Sequence, residues 1–107
     1  MNNNFNLLDK NGNNILHKLV KSNNSKMLKE ILEILIEKGK LKKLINQKNY
    51  SGYTPLHIAI NKNNQHLSQL LINNNADIRI LTDNGYIIKQ IKENKIDSLK
   101  IMGVRFL

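Results

Sequence analysis

Residues 52–59 read Gly-Tyr-Thr-Pro-Leu-His-Ile-Ala and are the most informative stretch of this chain. The glycine follows a polar cluster, which indicates a turn. Thr54 can cap a helix through its side-chain oxygen, and Pro55 suits the first helical position because no backbone donor is needed there. An apolar run then begins at Leu56 and includes Ala59. The stretch therefore predicts a turn that leads directly into a short capped helix.

A second helix is predicted to complete the unit. The polar residues 61–64 break the first helix, and three leucines at i, i+3 and i+4 within residues 65–73 predict the second one. Asn75 follows at the position where a residue in the left-handed conformation commonly ends a helix. The unit is thus a turn followed by two antiparallel helices.

The same pattern occurs twice more in weaker form. Residues 9–17 read Asp-Lys-Asn-Gly-Asn-Asn-Ile-Leu-His, and residues 82–88 read Thr-Asp-Asn-Gly-Tyr-Ile-Ile. The turn glycines are 40 and then 33 residues apart. Since one helix pair cannot close a core alone, the units are expected to stack on a shared apolar slab. Structural roles are assigned to Gly12, Leu16, His17, Gly52, Thr54, Pro55, Leu56, His57, Ala59 and Gly85.

The first unit is predicted to have the longer second helix. Asn14 caps a helix at residues 15–20, a second helix runs over about residues 26–38, and apolar residues at 41–45 indicate a further short turn. In the third unit the apolar residues between 87 and 102 are interpreted as a degraded helix pair, with its lysines turned outward.

We therefore predict an all-α solenoid with two good repeats and a degraded C-terminal capping repeat, joined by short hairpin turns. A chain of 107 residues is enough for one domain and too short for two. The repeats are placed at about residues 9–45, 46–80 and 81–107, and residues 1–8 form an N-terminal lead or cap.

These residues resemble the ankyrin repeat family. Residues 52–59 are similar to its signature, and residues 70–78, Leu-Leu-Ile-Asn-Asn-Asn-Ala-Asp-Ile, are similar to the end of its repeat. The resemblance extends over about residues 9–103. It implies helix pairs stacked into a curved solenoid with a concave binding side, and it implies that the partner is another protein.

A narrower resemblance is to the IκB-like group, the inhibitors of NF-κB and their viral mimics. The chain shares with that group a first repeat of Asp-x-Asn-Gly-x-x-x-Leu-His form, a lengthened second helix and residues 45–49, Ile-Asn-Gln-Lys-Asn, ahead of a strong repeat. This implies a host-directed viral inhibitor that binds Rel-type factors in the cytoplasm or nucleus. Residues 1–21 contain no Ser or Thr for the phosphodegron of the cellular inhibitors. A generic adaptor with an unrelated protein partner is the alternative.

The charge of the chain suggests a third class of function. Fifteen lysines and two arginines against eight acidic residues give a net charge of +9, which is compatible with binding to nucleic acid or to an anionic membrane. However, Asn, Lys and Ile supply 49 of the 107 residues, and AT-rich coding sequence favours these three. The planar fork of arginine, which suits phosphate, is nearly missing. A nucleic-acid partner is therefore not expected, and neither is a membrane.

Enzymatic chemistry is not expected. The chain has no Cys, which excludes a thiolate metal site and a Cys nucleophile. His17 and His57 occupy the same repeat position, so each is expected to bond the backbone of the neighbouring hairpin; His66 is expected to be exposed. No phosphate-binding loop and no G-x-S-x-G motif occurs. We predict no catalytic, cofactor-binding or metal-binding residues and no small-molecule substrate.

A lysine cluster follows the lengthened helix. It consists of Lys38, Lys40, Lys42 and Lys43. Two interpretations stay open at this point: an anion-binding or nuclear-import patch, and a solvated helix end where cations suit the helix dipole.

The residues that flank each turn glycine are expected to project from the hairpin tips and to line the concave side. Tyr53 and Tyr86 occupy equivalent positions, so stacked repeats are expected to place them side by side. Exposed tyrosine is a favoured contact residue, which suggests a binding role; alternatively, each ring covers its own hairpin. Asn94 and Lys95 would extend this surface. The predicted protein-binding residues are Lys10, Asn11, Asn13, Tyr50, Ser51, Tyr53, Asn61, Lys62, Asp83, Asn84 and Tyr86.

Overall fold

A computed structural model describes residues 5–93 and 96–103. The elements are α1 Ile15–Lys21, α2 Ser25–Glu37, α3 Leu41–Ile45, α4 Pro55–Asn61, α5 Gln65–Asn73, β1 Tyr86–Glu93 and β2 Ile96–Gly103. Helices α1 and α2 form a first antiparallel pair, α4 and α5 form a second, and α1 packs against α4, so that the two pairs stack. The strands β1 and β2 pair in antiparallel fashion, and β2 contacts α4.

Polar side chains cap the starts of α1, α2, α4 and α5. Asn14 Oδ1 accepts backbone hydrogen bonds of 2.8 and 3.1 Å in the first turn of α1. Thr54 Oγ1 accepts a 3.3 Å bond at α4, whose first residue is Pro55. Asn24 and Asn64 cap the second helices in the same way. Each cap satisfies a backbone donor that has no partner within the helix.

One apolar slab runs through both helix pairs. Leu16 and Leu56, the equivalent leucines of the first two repeats, are both buried in it. Phe5 packs against the slab from the N-terminal side, whereas residues 1–4 of the predicted lead lie outside the described residues. The second helix of each pair adds buried leucines to the slab. These are Leu28, Leu32 and Leu35 in α2, and Leu67 and Leu71 in α5.

Asparagine ends helices at repeated positions. Asn23 and Asn63 have φ values of 56° and 55° in the turns that join the helices of each pair, and Asn75 has a φ of 71° after α5. Asparagine tolerates this left-handed region better than other residues with a Cβ. At these three positions, asparagine therefore serves to allow the left-handed backbone conformation at the end of a helix.

The third unit differs from the prediction after its hairpin turn. The segments predicted as a degraded helix pair form β1 and β2, which pair with Ile88 opposite Ile101, and both isoleucines pack on the slab. Ile87 and Ile88 stand where the second repeat has Thr54 and the proline, so this unit lacks the cap and the residue that start a helix. β-branched residues favour strands instead. A β-hairpin therefore follows the second repeat and contacts α4 through β2.

None of the helices within residues 5–93 is both long and apolar enough to cross a membrane.

Candidate functional site

Three hairpin turns precede the repeats and share one hydrogen-bonding scheme. Asp9 Oδ1 accepts two backbone hydrogen bonds of 2.9 Å from the turn that follows it. Asn49 Oδ1 accepts two at 3.0 Å, and Thr82 Oγ1 accepts one at 3.0 Å from Tyr86. The bond from the Asn13 backbone holds the pKa of the Asp9 carboxyl below its usual value. In each turn, the side chain of the first residue thus holds the backbone of the residues that follow it.

Neighbouring turns are stacked on one another. Gly12 has a φ of +76°, and a Cβ on it would lie 2.6 Å from Cγ of Tyr50, whose ring covers this glycine. Gly52, with a φ of +85°, is covered by Asp83 in the same way. The backbone N–H of Tyr50 also donates to the carbonyl of Asn11 at 3.0 Å. The turns therefore form a row in which each one supports the next.

Asn13 does not belong to the binding surface, in contrast to the prediction. Its side chain is 2% exposed. Its amide nitrogen donates to Asp9 Oδ2 at 3.1 Å, and its amide oxygen accepts from Asn49 Nδ2 at 2.9 Å. Because both polar atoms already have partners across two hairpins, Asn13 joins the repeats and is not available to a partner.

The two tyrosines predicted to lie side by side have different environments. Tyr53 is half-buried against the slab, with its ring edge-on to His57 at 6.2 Å between centroids. This agrees with the alternative that the ring covers its own repeat. Tyr86 is exposed. The residue after the turn glycine thus faces inward in the first two repeats, at Asn13 and Tyr53.

Exposed side chains remain at the tips of the three turns. Tyr50 is 71% exposed and offers the largest apolar area among them. Lys48 forms a 3.2 Å ion pair with Asp83 at the third turn. We call this set the hairpin-tip surface; it consists of Lys10, Asn11, Tyr50, Ser51, Asp83, Asn84 and Tyr86.

Two further residues of the predicted surface lie at the C-terminal end of α4, whereas the hairpin turn precedes its N-terminal end. Asn61 and Lys62 are exposed, and Lys62 Nζ donates to the backbone carbonyl of Lys21 at 2.7 Å, across the repeats. Asn94 and Lys95 lie outside the described residues.

His17 and His57 are fully buried and link each repeat to the next hairpin. His17 Nδ1 accepts from the backbone N–H of Asn14 at 3.0 Å, so Nε2 carries the hydrogen and donates to the Tyr53 carbonyl at 2.8 Å. His57 forms the equivalent bonds, with Ile80 as the second partner at 2.9 Å. Within the described residues no three His, Asp or Glu side chains form a group that could hold a metal ion.

The two buried histidines predict that acid destabilises the fold. Burial lowers the pKa of both below the usual 6.5, so the unfolded chain takes up protons that the folded chain resists. The free energy of unfolding should therefore fall as the pH drops below about 6.5, by up to about 1.4 kcal/mol per pH unit for each histidine.

Urea denaturation between about pH 7.5 and pH 5.5 would measure this slope. A His66→Gln variant is the control, because His66 is exposed and its replacement leaves both buried histidines in place. An unfolding midpoint that does not move over this range would contradict the prediction.

Comparisons with known proteins agree with this architecture. Residues 1–82 match a family model described as ankyrin repeats, in three copies. No curated protein matches the chain. The solved structure of the Legionella effector AnkH is similar, with a TM-score of 0.64 and 25% sequence identity over 78% of this chain. The chain spans only 16% of the length of that effector.

Proposed function

The chain belongs to the ankyrin repeat family of protein-binding modules, and we propose that it holds its partner on the hairpin-tip surface. One observation carries this proposal: the turns are fixed internally and stacked, with the ring of Tyr50 exposed between them. A surface that is already ordered loses little conformational freedom on binding. Tyrosine adds a large contact area at a low entropic cost.

A Rel/NF-κB-type transcription factor is the first candidate partner. What supports it is the first repeat, in which α2 has thirteen residues against nine in α5 and is followed by the additional helix α3. The IκB-like group resembled by the sequence carries an insertion at this place. The chain would then sequester the factor in the cytoplasm or nucleus of a host cell and suppress immune signalling. The comparisons with known proteins do not single out this group, and the proposal rests on the insertion.

A generic adaptor with an unrelated protein partner is the second candidate. The similarity to a bacterial effector supports it, because that protein shares the repeat architecture. Ankyrin repeats are typically interaction modules without enzymatic activity. Both candidates use the same hairpin-tip surface and differ only in the protein that is bound.

A pull-down with immobilised Rel homology domains separates the two candidates. We expect the unmodified chain to be retained and Tyr50→Ala to bind at least about tenfold more weakly, the loss typical of a central aromatic contact. Met27→Ala is the matched control, since Met27 is also exposed but lies on α2. Circular dichroism should show both variants folded.

Each of two results would count against one of these proposals and leave the other standing. No retention of any Rel homology domain would remove the first candidate and leave the adaptor. A partner, recovered from cells, that binds Tyr50→Ala as tightly as the unmodified chain would show that the hairpin-tip surface is not the contact.

A further inference from the structure

A groove of about 680 Å³ lies between the two repeats, away from the hairpin tips. It is bounded by the C-terminal end of α2, by α3 and by the C-terminal end of α5 with the residues that follow. It shares no residue with the hairpin-tip surface. Any ligand of this groove is therefore additional to the partner proposed above.

The unequal lengths of the repeats create the groove. The α2 helix is longer than α5, and α3 prolongs the wall of the first repeat, whereas Asn75 turns the chain away directly after α5. The side chain of Asn46 accepts a 2.9 Å hydrogen bond from the backbone N–H of Asp77 and ties the two walls together. The space is thus a consequence of the fold rather than of a loose loop.

One part of the groove wall is apolar, and the rest is polar. Ile36, on the last turn of α2, is 54% exposed although it is a large aliphatic side chain. Leu41 and Ile72, both partly exposed, line the same space. Covering such side chains is favourable by about 25 cal/mol for each Å² of apolar surface removed from water. An apolar side chain of a ligand fits this part of the wall.

The charge at the groove is positive. Lys42 and Arg79 line it together with one acidic residue, Asp77. Arg79 donates to both oxygens of Asp77 at 3.0 and 3.2 Å, so these two charges offset each other and the net charge of the lining comes from Lys42. Three further lysines, at positions 38, 40 and 43, lie close to Lys42 in the sequence. An anionic group of a ligand would therefore complement Lys42.

From these contacts we propose that the groove binds a peptide segment in which an apolar residue is flanked by Asp or Glu. The apolar part of the wall seats the side chain, and Lys42 faces a carboxylate. This assigns an anion-binding role to Lys42, the member of the lysine cluster that lines the groove. The apolar part of the wall favours a peptide over a nucleic acid, whose backbone would leave Ile36 and Ile72 uncovered.

Selection of short randomised peptides displayed on phage against the full chain tests the proposal. The enriched peptides should carry an apolar residue next to two or more acidic residues. Ile36→Ala and Lys42→Glu should each weaken their binding by about fivefold or more, and added salt should weaken it further. Met27→Ala and Lys29→Glu are the matched controls, because both residues are exposed on α2 outside the groove.

Three results would overturn the proposal. One is a set of enriched peptides without acidic residues, or no enrichment at all. The second is equal binding to Ile36→Ala and to Met27→Ala, both shown to be folded by circular dichroism. The third is a single-stranded oligonucleotide that displaces the peptides as well as an acidic peptide does, which would show simple attraction of anions.

Discussion

Replacing Leu56 with alanine is expected to lower the free energy of unfolding by about 2–5 kcal/mol. Leu56 is 1% exposed and lies in the first turn of α4, the helix that packs against both α1 and α5. The truncation removes buried methyl groups and leaves a cavity at the centre of the slab. Because small domains are stable by only about 5–15 kcal/mol, a large share of the stability would be lost.

Urea denaturation followed by circular dichroism would measure this loss. Leu7→Ala is the matched control, since Leu7 is 66% exposed and should change the stability by less than about 0.5 kcal/mol. Leu16→Ala should cost as much as Leu56→Ala, because the two leucines are equivalent. If Leu56→Ala were as stable as Leu7→Ala, the shared slab would not hold the repeats together.

The first two repeats were predictable because their signals are local. The predicted helix at residues 65–73 is α5, and the predicted short turn at residues 41–45 is α3. Caps, proline at the first helical position and apolar spacing each act within a few residues. No tertiary contact had to be known to place these elements.

The third unit was predicted from its turn at residues 82–88, from the 33 residues that separate its glycine from that of the second turn, and from the apolar residues that follow. Its turn has the same backbone hydrogen bond as the second repeat. The N–H of Thr82 donates to the carbonyl of Tyr86 at 2.9 Å, and the N–H of Asn49 donates to the carbonyl of Tyr53 at 2.8 Å. Only after the turn does the sequence change, where Ile87 replaces the cap at Thr54. The absence of the Thr-Pro pair and the presence of Ile87 and Ile88 indicated a strand. These signals were outweighed by the regular spacing of the repeats, which favoured a third helix pair.

The candidate surface was only partly predictable. Repeat spacing identified the turn residues, but spacing does not show which way a side chain points. Asn13 and Tyr53 hold equivalent positions, and both face inward. The longer first repeat was predicted, but the groove beside Ile36 that results from it was not, because the groove depends on where two helices end in space.

Replacing His17 with alanine is also expected to lower the free energy of unfolding strongly. The variant leaves the backbone N–H of Asn14 without its partner at 3.0 Å. It also removes one of two hydrogen bonds to the carbonyl of Tyr53, which keeps the bond from the Asn49 backbone N–H. A buried donor left without a partner costs roughly 1–3 kcal/mol and the loss of a further hydrogen bond roughly 0.5–1.5 kcal/mol, so the total should be about 2–4 kcal/mol. Urea denaturation at about pH 7.5, where the imidazole is neutral, isolates this effect from protonation.

Two further variants distinguish the hydrogen bonds of His17 from simple filling of space. His17→Gln keeps a donor and an acceptor and should recover part of the loss, whereas His17→Leu fills the volume but supplies neither. His66→Ala, at an exposed histidine, should stay within about 0.5 kcal/mol of the unmodified chain. Because His17 joins α1 to the second hairpin, its bonds support the row of turns beneath Tyr50. If His17→Leu were as stable as the unmodified chain, packing alone would hold that row.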